Sequence, residues 1–293
     1  MVALSPLISP EELHDRIGSR GLVVVDVRWV LLQPGAGRAA YETAHIPGAI
    51  FLDLDTDLRA PEGPGRHPLP SPATFQETLA NAGIGTSDEV VAYDDARGTI
   101  AARLWWMLDA LGHERVRVLD GGLGAWVAAG YPMSSDTPAP RPRAELSLRS
   151  EWPAVITREG LADRLGSVLL LDARAAPRYR GEVEPIDPVA GHIPTARSAP
   201  TDGYVGADGR LLPSAGLVEV FESLGATGAD SPVVTSCGSG VTANFATLAM
   251  RVAGLPDPIL YPGSYSDWSR SGLPVATGPD PGDRPPELDR PQG

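Results

Sequence analysis

Residues 22–28 read LVVVDVR and residues 168–174 read VLLLDAR, two unbroken apolar runs that each lead into an aspartate. A strand with one face in water alternates apolar and polar residues, whereas a continuous Val- and Leu-rich run suits a strand buried on both faces. EVVAY (89–93) and PVVTS (232–236) repeat the type. Between these runs, SPATFQETLANAG (71–83) and PSAGLVEVFESLGA (213–226) place apolar residues at helical spacing and end near glycine. TIAARLWWMLDALG stops at Gly112 and TANFATLAMRVAG at Gly254, both expected as C′ positions. Strands alternating with helices predict an α/β fold, with one parallel sheet covered on both sides in each half of the chain.

The two halves echo each other. AHIPGA (44–49) returns as GHIPTA (191–196), LDGGLGAW (119–126) as YPGSYSDW (261–268), and GYP (130–132) as GLP (272–274). Trp126 and Trp268 stand at the same separation as Gly121 and Gly263, Gly130 and Gly272, and Asp95 and Cys237. Matched blocks in the same order indicate a duplicated domain. The expected units are 1–133 and 154–276, joined by a Pro- and Arg-rich extended linker, 134–153, and followed by a disordered tail, 277–293.

The chain has 293 residues, enough for two domains that each bury a core. Its 24 Lys and Arg against 37 Asp and Glu give a formal net charge of −13. Such a surface repels nucleic acid and anionic membranes, so neither is an expected partner, and an anionic substrate would need a local cluster of basic residues. The five histidines lack metal-ligand spacing, and neither metal nor cofactor is expected. No basic, apolar leader opens the sequence and no run is long enough to span a bilayer, which predicts a cytoplasmic protein.

Cys237 is the only cysteine. It falls where the run PVVTS meets Gly238, Ser239 and Gly240, just before a helical pattern. In parallel α/β folds, ligands meet the chain at the C-terminal ends of strands. Glycines there can adopt positive φ and turn backbone N–H groups inward, and with the helix dipole they would stabilise a thiolate. A buried cysteine acting as a small hydrophobe is the ordinary alternative. A core cysteine, however, has no need of a Gly-Ser-Gly turn around it. The first half carries Asp95 at the equivalent position, so only the second half keeps a sulfur nucleophile.

The doubled HIPGA/HIPTA blocks, LWW, LDGGLGAW and CGSGVTA together resemble the two-domain rhodanese family of sulfurtransferases, over roughly residues 8–276. The resemblance implies two tandem rhodanese-like domains, the second catalytic. It also implies that Cys237 takes a sulfane sulfur from a small anionic donor, becomes a persulfide, and passes the sulfur to cyanide, a thiol or a partner protein. That is covalent catalysis in two steps. The neutral loop CGSGVT is similar to that of 3-mercaptopyruvate sulfurtransferases, whereas thiosulfate-preferring members resemble CRKGVT. By the same resemblance, Ser239 would join His67 (GRHPLP) and Asp55 (FLDLD) in moving a proton at the donor. Arg178 would bind the donor carboxylate, with Gly238, Gly240, Val241 and Thr242 completing the loop. Arg180 reads as surface. The mercaptopyruvate pattern resembles E-P-R before the second H-I-P block, but Ile186 and Asp187 stand there instead.

Asp26, Asp172, His45 and His192 occur in both halves, and a role common to both argues for architecture rather than catalysis. Trp29 is expected either as an aromatic wall near the cleft or as packing. Trp105, Trp106, Trp126 and Trp268 are expected as core or domain-interface residues. Three other readings compete: a thiosulfate:cyanide sulfurtransferase, a persulfide carrier to a partner protein, and a cysteine phosphatase. The last requires C-x5-R, and Ala243 stands where that arginine would be.

Overall fold

The computed structural model describes residues 4–226 and 232–289. The chain forms two compact units. The first comprises Met1–Pro61, Leu69–Pro153 and Val205–Leu211, and the second Glu62–Pro68, Ala154–Tyr204 and Leu212–Gly293. The contiguous boundaries expected from the sequence therefore miss two exchanged segments. Leu211 N donates to Asp120 Oδ1 (2.9 Å) within the first unit, and Arg66 N donates to Ser266 Oγ (3.0 Å) within the second. Such single long-range bonds leave no trace in composition.

The first unit contains β1 (Leu7–Ile8), α1 (Pro10–Arg16), β2 (Leu22–Asp26), α2 (Ala36–Thr43), β3 (Ile50–Phe51), α3 (Pro72–Asn81), β4 (Glu89–Tyr93), α4 (Ala101–Ala110), β5 (Val116–Leu119) and α5 (Gly122–Ala128). Its parallel sheet runs β1-β5-β4-β2-β3. Val24, Val91, Leu119 and Trp126 share one core cluster, so the apolar runs do form the buried centre of the sheet. Residues 135–153 form no helix or strand. They are tied to the first unit by bonds from Ala144 N to Ala80 O and from Arg149 N to Leu111 O, both 2.9 Å.

The second unit contains α6 (Arg158–Arg164), β6 (Leu169–Asp172), α7 (Ala176–Tyr179), β7 (Arg197–Ser198), α8 (Ser214–Ser223), β8 (Val233–Ser236), α9 (Ala243–Ala253), β9 (Ile259–Leu260) and α10 (Ser264–Trp268). Its parallel sheet runs β7-β6-β8-β9. A parallel bridge between Val155 and Leu260 stands where β1 meets β5 in the other unit. The sheet orders are thus the same, as duplication requires.

The repeated polar residues build the same joint twice. Asp26 accepts from Arg28 N (2.9 Å) and its Nε, and Asp172 accepts from Arg174 N (3.0 Å) and its Nε. Each arginine then reaches a carbonyl, Ala44 O or Gly191 O, at 2.7 Å. His45 bonds Tyr41 O and His192 bonds Tyr179 O, each at 2.8 Å, and each imidazole stacks on that tyrosine. Trp126 and Trp268 both donate from Nε1 to a proline carbonyl, Pro132 O and Pro274 O. Identical geometry in both units makes these residues architectural.

The tail departs from the disorder expected of its composition. Pro281 O accepts from Thr195 N (2.7 Å), and Arg284 Nη1 donates to the carbonyls of Ala162, Asp163 and Leu165. A guanidinium thereby caps the end of α6, whose last carbonyls have no partner inside the helix. Residues 290–293 lie outside the described residues.

Candidate active site

The register of the second sheet places the site. Asp172 at the end of β6 pairs with Ser236 at the end of β8, and Cys237 follows directly. The chain then turns through Gly238–Thr242 into α9. Cys237 is 1% exposed. Gly240 N points at its sulfur (3.2 Å), and Ser264 Oγ lies 3.9 Å from Sγ while accepting from Cys237 N at 3.1 Å. A backbone N–H aimed at Sγ favours negative charge on the sulfur. Asn244 Nδ2 donates to Gly240 O and Val241 O, pinning the turn from below.

The loop glycines differ in what surrounds them. Gly240 has φ +77°, and a Cβ there would lie 2.2 Å from Pro262 O. Gly238 does not adopt positive φ, contrary to the sequence expectation. A Cβ at Gly238 would instead stand 3.0 Å from Arg66 Nη2 and 3.4 Å from Arg178 Nη1. What meets that position is the movable ends of two guanidinium groups, not a backbone requirement for glycine.

Around the loop lies a layer of charge. Arg178 donates to Glu184 from Nε and Nη2, the shortest contact being 2.7 Å. Burial, the largest single influence, opposes the charge on Glu184, but the bond and charge of Arg178 together with the backbone N–H groups of Asp187 and Ile186 outweigh it and hold the carboxyl below its ordinary range. Asp187 receives Arg66, Arg270 (2.9 Å) and Arg178 (3.4 Å). Ser239 Oγ and His67 Nδ1 are 2.8 Å apart, and both residues are buried.

The loop of the first unit is built otherwise. Asp94, not Asp95, fills it: Asp94 Oδ1 accepts from Ala96 and Gly98 N, and Oδ2 from Ile100 and Ala101 N, at 2.7–2.8 Å. Asp95 is exposed. The amides of that turn already hold the chain's own carboxylate. Asp95→Ala is therefore expected to change stability by less than about 0.5 kcal/mol and to leave turnover within about twofold of wild type, measured by thermal melting and steady-state assay.

Both halves match the Rhodanese-like domain, over residues 9–129 and 157–271. The chain belongs to the rhodanese family. Among its relatives, a probable 3-mercaptopyruvate sulfurtransferase of Pseudomonas aeruginosa is 44% identical over 93% of this chain and 98% of its own length. A putative thiosulfate sulfurtransferase of Mycobacterium tuberculosis is 40% identical over 90% of this chain and 93% of its own. The solved 3-mercaptopyruvate sulfurtransferase of Leishmania major superposes with a TM-score of 0.79 at 32% identity, covering 90% of this chain and 74% of that one.

Within this rhodanese chain, the sequence-predicted residues divide into groups. Cys237, Gly238, Ser239, Gly240, His67 and Arg178 gather in the second unit. Val241 is buried, and Thr242 is the half-buried N-cap of α9, without a side-chain capping bond. Asp55 belongs to the first unit, where it accepts from Trp29 Nε1 at 2.8 Å. Trp105, Trp106, Trp126 and Trp268 are buried, and Arg180 pairs with Glu182 at the surface. Sequence reading missed Arg66, Glu184, Arg270 and Ser264, and it noted Asp187 only as a departure. A signal existed for Ser264, which stands where the other repeat has Gly122 and keeps that glycine's positive φ (51° against 58°).

Proposed function

We propose that this sulfurtransferase uses 3-mercaptopyruvate as its donor and carries the sulfur as a persulfide on Cys237. The observation that carries the reading is the Ser239–His67 hydrogen bond, 2.8 Å long and buried beside the nucleophile's turn. Attack of the Cys237 thiolate on the donor thiol forms an S–S bond and breaks the donor's C–S bond, and the electron pair leaves as the enolate of pyruvate. The thiol proton must leave sulfur and a proton must reach the enolate carbon, so a hydroxyl–imidazole pair has work in this step. In the second step a thiol or cyanide attacks the outer sulfur and returns Cys237 as thiolate, which is covalent catalysis with two half-reactions. A partner protein's cysteine can take the place of the small acceptor. We place the reaction in the cytoplasm, where free thiols are the available acceptors. Among the described residues no helix is long and apolar enough to cross a membrane.

Thiosulfate carries no thiol proton at neutral pH, so the two donors separate the roles. Ser239→Ala is expected to lower kcat with 3-mercaptopyruvate by about tenfold to a hundredfold and to change the thiosulfate reaction much less. Steady-state kcat/KM for both donors, with wild type and variant, tests the reading. A wild type that prefers thiosulfate, or a variant that slows both donors equally, contradicts it.

A further inference from the structure

Arg174 and Arg66 both lie near Gly238, but their donors are used differently. Arg174 gives Nε and Nη2 to Asp172, Nη2 also to Gly191 O and Nη1 to Glu184, and stacks 3.8 Å over the Tyr265 ring. It is fully engaged and structural. Arg66 gives Nη1 to Asp187, while its buried Nε has no hydrogen-bond partner among the described residues and its Nη2 faces Gly238. Arg178 gives Nε and Nη2 to carboxylates and turns Nη1 toward the same glycine. Buried polar groups are nearly always hydrogen-bonded, so the partnerless Nε of Arg66, on a guanidinium that also faces the turn after Cys237, implies an acceptor that arrives with the ligand.

Charge points the same way. Arg66, Arg174, Arg178 and Arg270 face Asp172, Glu184 and Asp187, four cations against three anions, in a chain whose formal net charge is −13. One surplus positive charge suits a monoanion. Asp187 sits in the middle with its side chain fully buried and holds the guanidinium groups on either side. We infer that Arg66 and Arg178 form a two-guanidinium seat for the carboxylate of the sulfur donor, with Asp187 as the residue that positions it. This rests on the donor reading given above. Arg66 is the specificity-determining half of the seat: it immediately precedes His67, so the groups that bind the carboxylate and handle the proton arrive on one short segment.

The test compares 3-mercaptopyruvate with its methyl ester, which keeps the thiol and loses the charge, at saturating cyanide. Arg66→Ala is expected to raise KM for the acid by about tenfold to a hundredfold with kcat within about threefold. The inhibition constant of pyruvate should rise by the same factor, while kcat/KM for the ester stays unchanged. Arg66→Lys keeps a cation for Asp187 but loses the planar fork, and should fall between wild type and Arg66→Ala; it serves as the test if the alanine variant does not fold. An unchanged KM for the acid in a variant that still turns over, or an equal loss on acid and ester, overturns the seat alone. A wild type that draws sulfur from thiosulfate but not from 3-mercaptopyruvate overturns the donor reading, and the seat with it.

Discussion

Cys237→Ser is expected to keep the fold and to lower sulfur transfer by more than about a thousandfold with every donor. Oxygen can replace sulfur as acceptor for Gly240 N and as neighbour of Ser264, so the turn has no reason to collapse. Chemistry is another matter. A serine hydroxyl is scarcely ionised at neutral pH, and oxygen cannot hold a labile sulfane sulfur. Circular dichroism together with steady-state cyanide assays reads both halves of the expectation. A variant that retains turnover would remove Cys237 from the mechanism.

The second large effect is on stability. Asp172→Ala leaves Arg174 buried at 3% exposure without its main counter-charge. Burial, the largest single influence, disfavours the arginine's charge, and Asp172, with smaller help from Tyr265 and Glu184, more than compensates. Breaking a buried pair by removing one partner costs about 3–5 kcal/mol, a large part of the 5–15 kcal/mol that typically holds a protein folded. Chemical denaturation should show a midpoint far below that of wild type. Asp172 pairs in register with Ser236, so turnover should fall as well, through displacement of the turn that carries Cys237. A denaturation midpoint near that of wild type would mean that the joint between Asp172 and Arg174 matters little.

What the sequence conveyed, it conveyed through local pattern. LVVVD and VLLLD needed only their unbroken apolar character to be read as strands buried on both faces, and β2 and β6 are interior strands of their sheets. The repeat identified Asp26, Asp172, His45 and His192 as architectural, because a feature present on both sides of a duplication cannot depend on the nucleophile that only one side has. The glycines around Cys237 announced a turn. They did not say which glycine serves the backbone and which makes room. Gly238 is flanked by Arg66 and Arg178, and Arg66 is 171 positions upstream of Cys237, a proximity to the turn that is invisible to periodicity. Asp187 looked like the loss of a cation. In the fold it gathers three arginines, so the acid at that position organises positive charge rather than reducing it. The tail misled for a compositional reason: proline suppresses helix and strand, but it does not prevent carbonyls and one arginine from docking.

A single half-reaction tests whether Cys237 receives one sulfur atom from 3-mercaptopyruvate, as proposed. Wild-type protein is incubated with a few equivalents of 3-mercaptopyruvate and no acceptor, and intact mass and released pyruvate are measured on the same sample. The chain has one cysteine, so the site of any persulfide is unambiguous. One added sulfur atom per chain and one pyruvate released are expected, both absent in Cys237→Ser, with the added mass removed by cyanide. Pyruvate release without added mass, or no reaction with this donor while thiosulfate loads the protein, would contradict the proposal.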